Sequence, residues 1–525
     1  ILDFLIPPCG KEIGTNTANS MQKAGYKSAH ANYYLWYSHR FVVLHYVVVK
    51  QHLTAEHFYK FFQCPHWIWY DIYADAKRKK HIPPILELLY KGKLTNPSEA
   101  IRKFKEFEQV KPEQYKDLEE AFLATLELMK HGKNVYHGVL MHENWAGMPD
   151  LLEAVPGRSD LGDWHYVVYD IQSSLDLRDE YKFQLVFYSL ILERLQGVRP
   201  KEAYVIDPSG NTRSFLVDDF VDQFHITREQ IEKILEGDKP APFIKSGCKR
   251  TPWYSLCFEG AVGCNDVSLI FRISQADQRR LYDIGIKTVG ELADSDVNEL
   301  QTKLEDWPFD KLVRFNNQAR ALISQQPLVL KKPNFPSVRY EVYFDIESDP
   351  TKDIHYLLGL LIKDIQTGSV EFKYFFAHNK EEEPEIWKNF LDFLAGLNDF
   401  VVYHYAYLER QVFDIFSLKY GVPSELALKF KENTIDLYNQ TVESVILPLY
   451  FYSLKDVAGY IGYKWDDPEA GGAESVVWYN EWLESKNPDI LKKILKYNED
   501  DVRATMAIKE WLEQQKPSKS REKLD

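Results

Sequence analysis

Along YEVYFDIESDP, Val342, Phe344 and Ile346 alternate with Tyr343, Asp345 and Glu347, the two-residue period of a strand that puts both acids on one face. The same patterning predicts strands at His355–Ile362, Phe372–Phe376 and Phe400–His404, and helices at Pro384–Leu394, Tyr407–Tyr420 and Asp489–Gln514. Upstream, LTAEHFYKFFQC reads as a helix carrying Cys64, and Pro112–Lys130 reads as another. Strands at Val135–Met141, Met148–Ala154 and Trp164–Ile171 follow, then a helix at Glu180–Gln196 and a strand at Ala203–Ile206. Ser268–Pro327 is mostly helical in pattern, and KKPNFP then breaks it. The first fifty residues carry little periodicity apart from the apolar run Phe41–Val49.

These elements divide the chain into an unassigned segment 1–50, an α/β unit 51–265, a helical connector 266–335, a second α/β unit 336–515 and a charged, disordered tail 516–525. In the second unit, three strands followed by alternating helix and strand fit a ribonuclease H-like fold. Composition narrows the function. A formal net charge of −14 over 525 residues argues against coating nucleic acid by bulk charge, which needs excess Lys and Arg, but leaves room for an acidic metal site. No uncharged apolar run reaches the roughly 18 residues a membrane span needs, no signal peptide is recognisable, and a cytoplasmic location is expected. There is no phosphate-binding glycine loop with its lysine.

Candidate chemistry concentrates near the C-terminus. Asp345 and Glu347 share a strand face, and Tyr497 and Asp501, four apart in LKYNEDDVRAT, share a helix face. Carboxylates of this kind suit Mg²⁺ or Mn²⁺, and two ions about 3.5–4 Å apart can clamp the attacking and leaving oxygens of a phosphodiester. With VVYHYAYLE between them, these motifs resemble the DnaQ-like exonucleases, whose second motif has His-Asn at its start and Asp at its end. The corresponding residues here are His404, Tyr405 and Glu409. YSLKDVAGYIGYKW, GAESVVWYNEWLE and LKYNEDDVRAT, with the upstream unit, resemble a family of RecB-like nucleases carrying a C-terminal DnaQ-like domain. The resemblance implies Asp345, Glu347, Glu409 and Asp501 as ligands of two Mg²⁺ or Mn²⁺ ions, Tyr497 as orienter of the water, and 3′ to 5′ polarity. Asp500 reads as an exposed neighbour, Asp436 as a helix cap in preference to a residue near the site, and His404 as a packed residue in preference to one that binds the substrate phosphate.

In the upstream unit, GMPDLLEAV and YVVYDIQSS place Asp150 and Asp170 where PD-(D/E)XK nucleases of the RecB type carry their acids, and Gln184-x3-Tyr188 resembles the helix motif of that class. Gln172 stands where the class has its lysine, and an amide cannot supply the positive charge that stabilises a developing phosphorane. Lys182, one turn into the next helix, is either a replacement or a solvent-facing lysine. The module is therefore expected to be impaired. Cys64 before it and Cys248, Cys257 and Cys264 after it resemble the cysteines that hold a 4Fe-4S cluster in iron–sulfur nucleases of this type, with Thr251 in one ligand position and Cys264 the substitute fourth ligand. Unligated buried thiols are the alternative. LYDIGIKTVGELA resembles a helix-hairpin-helix element, with Arg279, Arg280 and Lys287 beside it.

The expectation is a metal-dependent 3′–5′ exonuclease whose impaired RecB-like module binds or guides nucleic acid, DNA ahead of RNA, with a separate helicase as a further partner. The competing expectation is a non-catalytic protein that binds nucleic-acid ends or junctions, or a scaffold for a helicase.

Overall fold

The computed structural model describes residues 52–94, 100–101, 106–173 and 177–517. The segment 1–50, with Cys9 and the apolar run Phe41–Val49, lies outside the described residues, as does the tail from 518.

The first α/β unit is built on a six-stranded sheet. Its spatial order is Glu108–Gln109, Val135–Tyr136, Leu151–Ser159, Gly162–Ile171, Glu202–Ile206, Thr212–Leu216. Gly162–Ile171 and Glu202–Ile206 run parallel, which requires a crossover, and the helix Asp179–Gln196 supplies it. Phe58, Phe183, Phe187 and Phe224 fill the space between sheet and helices. The expected helix Pro112–Lys130 is split. Pro112–Gln114 forms a 3₁₀ turn, and the α-helix Leu118–Lys130 starts only where Asp117 caps it through Glu120 N at 3.0 Å. The expected strand Met148–Ala154 also shifts: Trp145–Gly147 pairs back on Leu140–His142 as a separate hairpin, and the long strand begins at Leu151.

In the connector, Gly285 adopts φ 90° between the helices Gln275–Asp283 and Val289–Asp294, a conformation that favours glycine. At the surface, Arg280 forms a two-pronged ion pair with Asp306. The last connector helix, Phe309–Ser324, docks on the C-terminal unit. Gln318 Nε2 donates to the carbonyls of Leu447 at 2.8 Å and Leu449 at 3.1 Å, and Arg314 donates to that of Val442 at 2.9 Å. Leu328–Val329 then pairs with Val445–Ile446. Connector and C-terminal unit thus share backbone hydrogen bonds ahead of KKPNFP.

The second sheet has the order Val370–Phe376, Ile354–Asp364, Tyr340–Asp349, Phe400–His404, Thr434–Asp436. Its first three strands are each antiparallel to the next, and the last two run parallel to Tyr340–Asp349. The alternation in that central strand sorts its side chains. Val342, Phe344 and Ile346 join one core with Phe390 and Phe413, while Tyr343 joins Val502 and Ile508 of the terminal helix Pro488–Gln514 in another. Asp345 and Glu347 lie on the same side as Tyr343, just past the last residue paired with Phe400–His404.

Candidate active site

The acids converge. Ligand-capable oxygens of Asp345, Glu347 and Asp501 lie within 4.8 Å of one another. Strand period and helix period bring this about together: the face of Tyr340–Asp349 that carries the two acids meets the face of Pro488–Gln514 that carries Tyr497 and Asp501. Both Glu347 and Asp501 are buried. Tyr497 hydrogen-bonds to Asp501, as the four-residue spacing predicts.

Several residues that the sequence reading did not single out hold this arrangement. Asn498 Nδ2 donates to Asp345 Oδ2 at 2.7 Å and also bonds Glu347. Room for that amide comes from Gly359, paired with Asp345 in the neighbouring strand; a Cβ at Gly359 would collide with Asn498. Trp465 Nε1 donates to Asp501 Oδ1 at 2.7 Å. Ser475, whose hydroxyl is 2.6 Å from that of Tyr356, bonds Glu347. Lys455 lies over the rings of Trp465 and Tyr497 and lowers Asp501 electrostatically. Asn, Ser and Trp are common residues, and their roles become visible only once strand and helix are docked.

Glu409 behaves differently. It is buried near the start of the helix Leu408–Tyr420 and close enough to raise Asp345 and Glu347, yet its Oε2 turns toward His404 Nδ1 at 3.3 Å. Three of the four expected ligands therefore form the compact group, and the fourth stands beside it. Asp436 caps the helix Leu437–Ser444 through Tyr438 N at 2.8 Å and accepts from Ala406 N at 3.0 Å. Asp500 is buried, not exposed, because it accepts from Asp466 N and pairs with Lys496 at 2.9 Å.

Crowding of buried acids sets the electrostatics. Burial first, then Asp501, Glu347 and Glu409, push Asp345 well above the carboxylate range. Burial and Asp501 raise Glu347 to about 8, and burial raises Asp501 to about 6 against the hydrogen bonds it accepts. Tyr497 is pushed up by burial and the three acids, so its phenol stays protonated. Asn498 Oδ1 is buried without a hydrogen-bond partner, and Glu409 Oε2 has His404 Nδ1 at 3.3 Å as its neighbour. An all-oxygen donor set, short of cations and with an unspent acceptor, fits hard divalent ions.

The upstream acids also meet. Asp150 Oδ2 accepts from Ile171 N at 2.7 Å, and Gln172 Nε2 donates to Asp170. A cation from outside the motif sits against both acids. Lys93, just beyond the helix Pro84–Lys91, lies 2.6 Å from Asp150 Oδ2 and also hydrogen-bonds Asp170. The turn before it is fixed by Gly92, at φ 66°, whose carbonyl accepts from Ser173 N at 2.7 Å. Lys182 is no replacement: it pairs with Asp179 at 3.2 Å and lies over the Phe220 ring. Tyr188 is within electrostatic reach of both acids and donates to Met148 O at 3.3 Å, while Gln184 is half-buried on the same helix. Burial works against ionisation of both acids; at Asp150, Lys93 together with the hydrogen bonds to Asp170 and Ile171 N outweighs it, and Asp170, facing Asp150 as well, stays raised.

The cysteines separate. Cys64, Cys248 and Cys257 are buried and adjacent, whereas Cys264 is in a disulfide and cannot be the expected fourth ligand. A four-thiolate set for a 4Fe-4S cluster is not assembled among the described residues.

Comparison with known proteins defines the class of the C-terminal unit. A family model of the RNase H superfamily matches residues 342–513, the span holding the central strand, Glu409, Tyr497 and Asp501. No curated protein matches the chain. The C-terminal domain is RNase H-like, a fold class of nucleic-acid hydrolases that use divalent metals. No helix among the described residues is long and apolar enough to cross a membrane.

Proposed function

We propose that the protein is a metal-dependent 3′–5′ exonuclease acting on DNA through its C-terminal domain. The observation that carries this reading is the convergence of Asp345, Glu347 and Asp501 with Tyr497 hydrogen-bonded to Asp501. These three acids, with Glu409 turning in from His404, would hold two Mg²⁺ or Mn²⁺ ions. When bound, the ions supply charge for the developing phosphorane and the departing oxygen. The protein's own groups do the rest. Asn498 and Trp465 fix the carboxylates of Asp345 and Asp501. Tyr497 gives its proton to the Asp501 hydrogen bond and offers an oxygen lone pair to orient a water. That water's oxygen bonds to phosphorus as the bond to the 3′ oxygen breaks, its proton passing to solvent while the leaving oxygen takes a proton from solvent. A groove lined by His404, Ala406, Tyr407, Arg410 and Asp436 opens beside Glu409. Exposed Tyr407 offers a base a stacking surface, and Arg410 offers a phosphate a charge.

The upstream unit follows helix, three sheet strands, helix and strand, with Asp150 immediately before the strand Leu151–Ser159 and Asp170 on the adjacent Gly162–Ile171, which supports the RecB-like PD-(D/E)XK reading. Lys93 supports its being impaired, because the ammonium takes the place between the carboxylates that a divalent ion would need. This unit then guides the strand toward the C-terminal centre. The test is Mn²⁺-dependent digestion of single strands labelled at either end. Mononucleotide released first from a 3′-labelled DNA end is expected; release from the 5′ end, or cleavage of RNA alone, would contradict the polarity or the substrate. Binding of DNA ends with no cleavage would favour the non-catalytic reading.

A further inference from the structure

We propose that Cys64, His66, Cys248 and Cys257 form a structural Zn²⁺ site of three thiolates and one imidazole, in place of a four-cysteine iron–sulfur cluster. Ligand atoms of Cys64, His66 and Cys257 lie within 4.8 Å of one another, and the Cys64 and Cys257 sulfurs are 3.5 Å apart. A tetrahedral Zn²⁺ with bonds of about 2.3 Å to sulfur separates two thiolates by about 3.8 Å. A cubane, whose ligands bind different irons, spreads them further. Cys248 is within hydrogen-bonding reach of Cys64; it also makes long sulfur contacts to the carbonyls of Gln63 at 4.0 Å and Phe243 at 3.9 Å and hydrogen-bonds the Lys245 backbone. The position the cluster pattern would fill with cysteine is Thr251, and its hydroxyl is spent on the Cys248 carbonyl at 2.9 Å.

His66 meets the requirements of a ligand. It is buried, it sits in the first turn of Pro65–Tyr73 two residues after Cys64, and it hydrogen-bonds to the Pro240 backbone carbonyl. A metal-bound imidazole commonly gives its second ring N–H to such a carbonyl, which fixes the ring. Cys64, Cys248 and Cys257 share one buried cluster with Tyr59, Trp67, Tyr70, Phe243 and Trp253, and the buried His66 stacks on Tyr70, a buried setting of the kind structural zinc sites occupy. The ligands come from the join of two helices at Cys64 and from the turn Ser246–Arg250 and helix Tyr254–Gly263. The ion would therefore clamp the beginning of the first unit to its end.

The full chain, expressed with zinc and iron both supplied and purified anaerobically without chelator, is assayed for metals and by X-ray absorption at the zinc edge. One zinc per chain in a shell of three sulfurs and one nitrogen is expected. His66→Gln should release zinc to a competing chelator at least about tenfold more readily, and Cys264→Ser should hold it as wild type does. Iron with sulfide, a shell of four sulfurs, zinc loss on Cys264→Ser alone, or a metal-free protein would each overturn the proposal.

Discussion

At the scale of single residues, the C-terminal centre is a group of buried acids whose charges repel until a cation arrives. Removing Asp345 deletes one of the three converging oxygen donors. Metal charge stabilisation of several kcal/mol corresponds to a loss of about 10³-fold or more in rate for Asp345→Ala, read as mononucleotide release. Tyr497→Phe keeps the ring and removes the hydroxyl; a drop of about 10²-fold in turnover with unchanged DNA affinity is expected if its role is to orient water. In the upstream unit, Lys93→Met leaves Asp150 and Asp170 facing each other without a cation. Breaking such a pair costs about 3 kcal/mol, visible as a lower denaturation midpoint at neutral pH. Gln172→Lys should not raise cutting while Lys93 holds the acids.

At the scale of elements, the site depends on how closely the strand Tyr340–Asp349 and the helix Pro488–Gln514 approach, and Gly359 sets that approach. Gly359→Ala pushes a methyl into Asn498, whose amide holds both strand acids. The expected result is destabilisation of about 1–3 kcal/mol and loss of most activity, although no acid has changed; wild-type activity would show that Asn498 is dispensable. This scale also separates what the sequence reveals from what it hides. Asp345, Glu347, Tyr497 and Asp501 are legible because strand and helix periods place them on shared faces. Lys93 is hidden because it follows a turn 57 residues before Asp150, and no local period connects the two. Asn498 and Trp465 are hidden for a similar reason: their partners lie 153 and 36 residues away. Asp500, adjacent to a ligand, reads as solvent-facing until Asp466 and Lys496 are seen to enclose it.

At the scale of the whole molecule, the acid cluster couples metal, pH and stability. Glu347 at about 8 and Asp501 at about 6 in the folded chain exceed ordinary unfolded carboxylates at about 4. The native state therefore binds more protons than the unfolded state between these values, so metal-free stability falls as pH rises from about 4 to 8. Divalent ions held there, as proposed, would favour the deprotonated acids and oppose that fall. The rise in Tm on adding Mg²⁺ or Mn²⁺ should be larger at pH 8 than at pH 5.5, and an equal rise at both would show that the acids are not the ligands. The connector hydrogen-bonds directly to the C-terminal unit, and Lys249 pairs with Asp456 at 3.2 Å, so changes near the cysteines and His66 can reach the C-terminal domain through packing.

The central claim is that hydrolysis takes place at Asp345, Glu347 and Asp501 and not at Asp150 and Asp170. The most direct measurement compares Mn²⁺-dependent mononucleotide release from 3′-labelled single-stranded DNA by the wild type, Asp345→Ala and Asp170→Ala, each checked for folding. The account predicts release by the wild type and by Asp170→Ala, and none above background by Asp345→Ala. Activity that survives Asp345→Ala but disappears in Asp170→Ala would move the active centre to the upstream unit and contradict it.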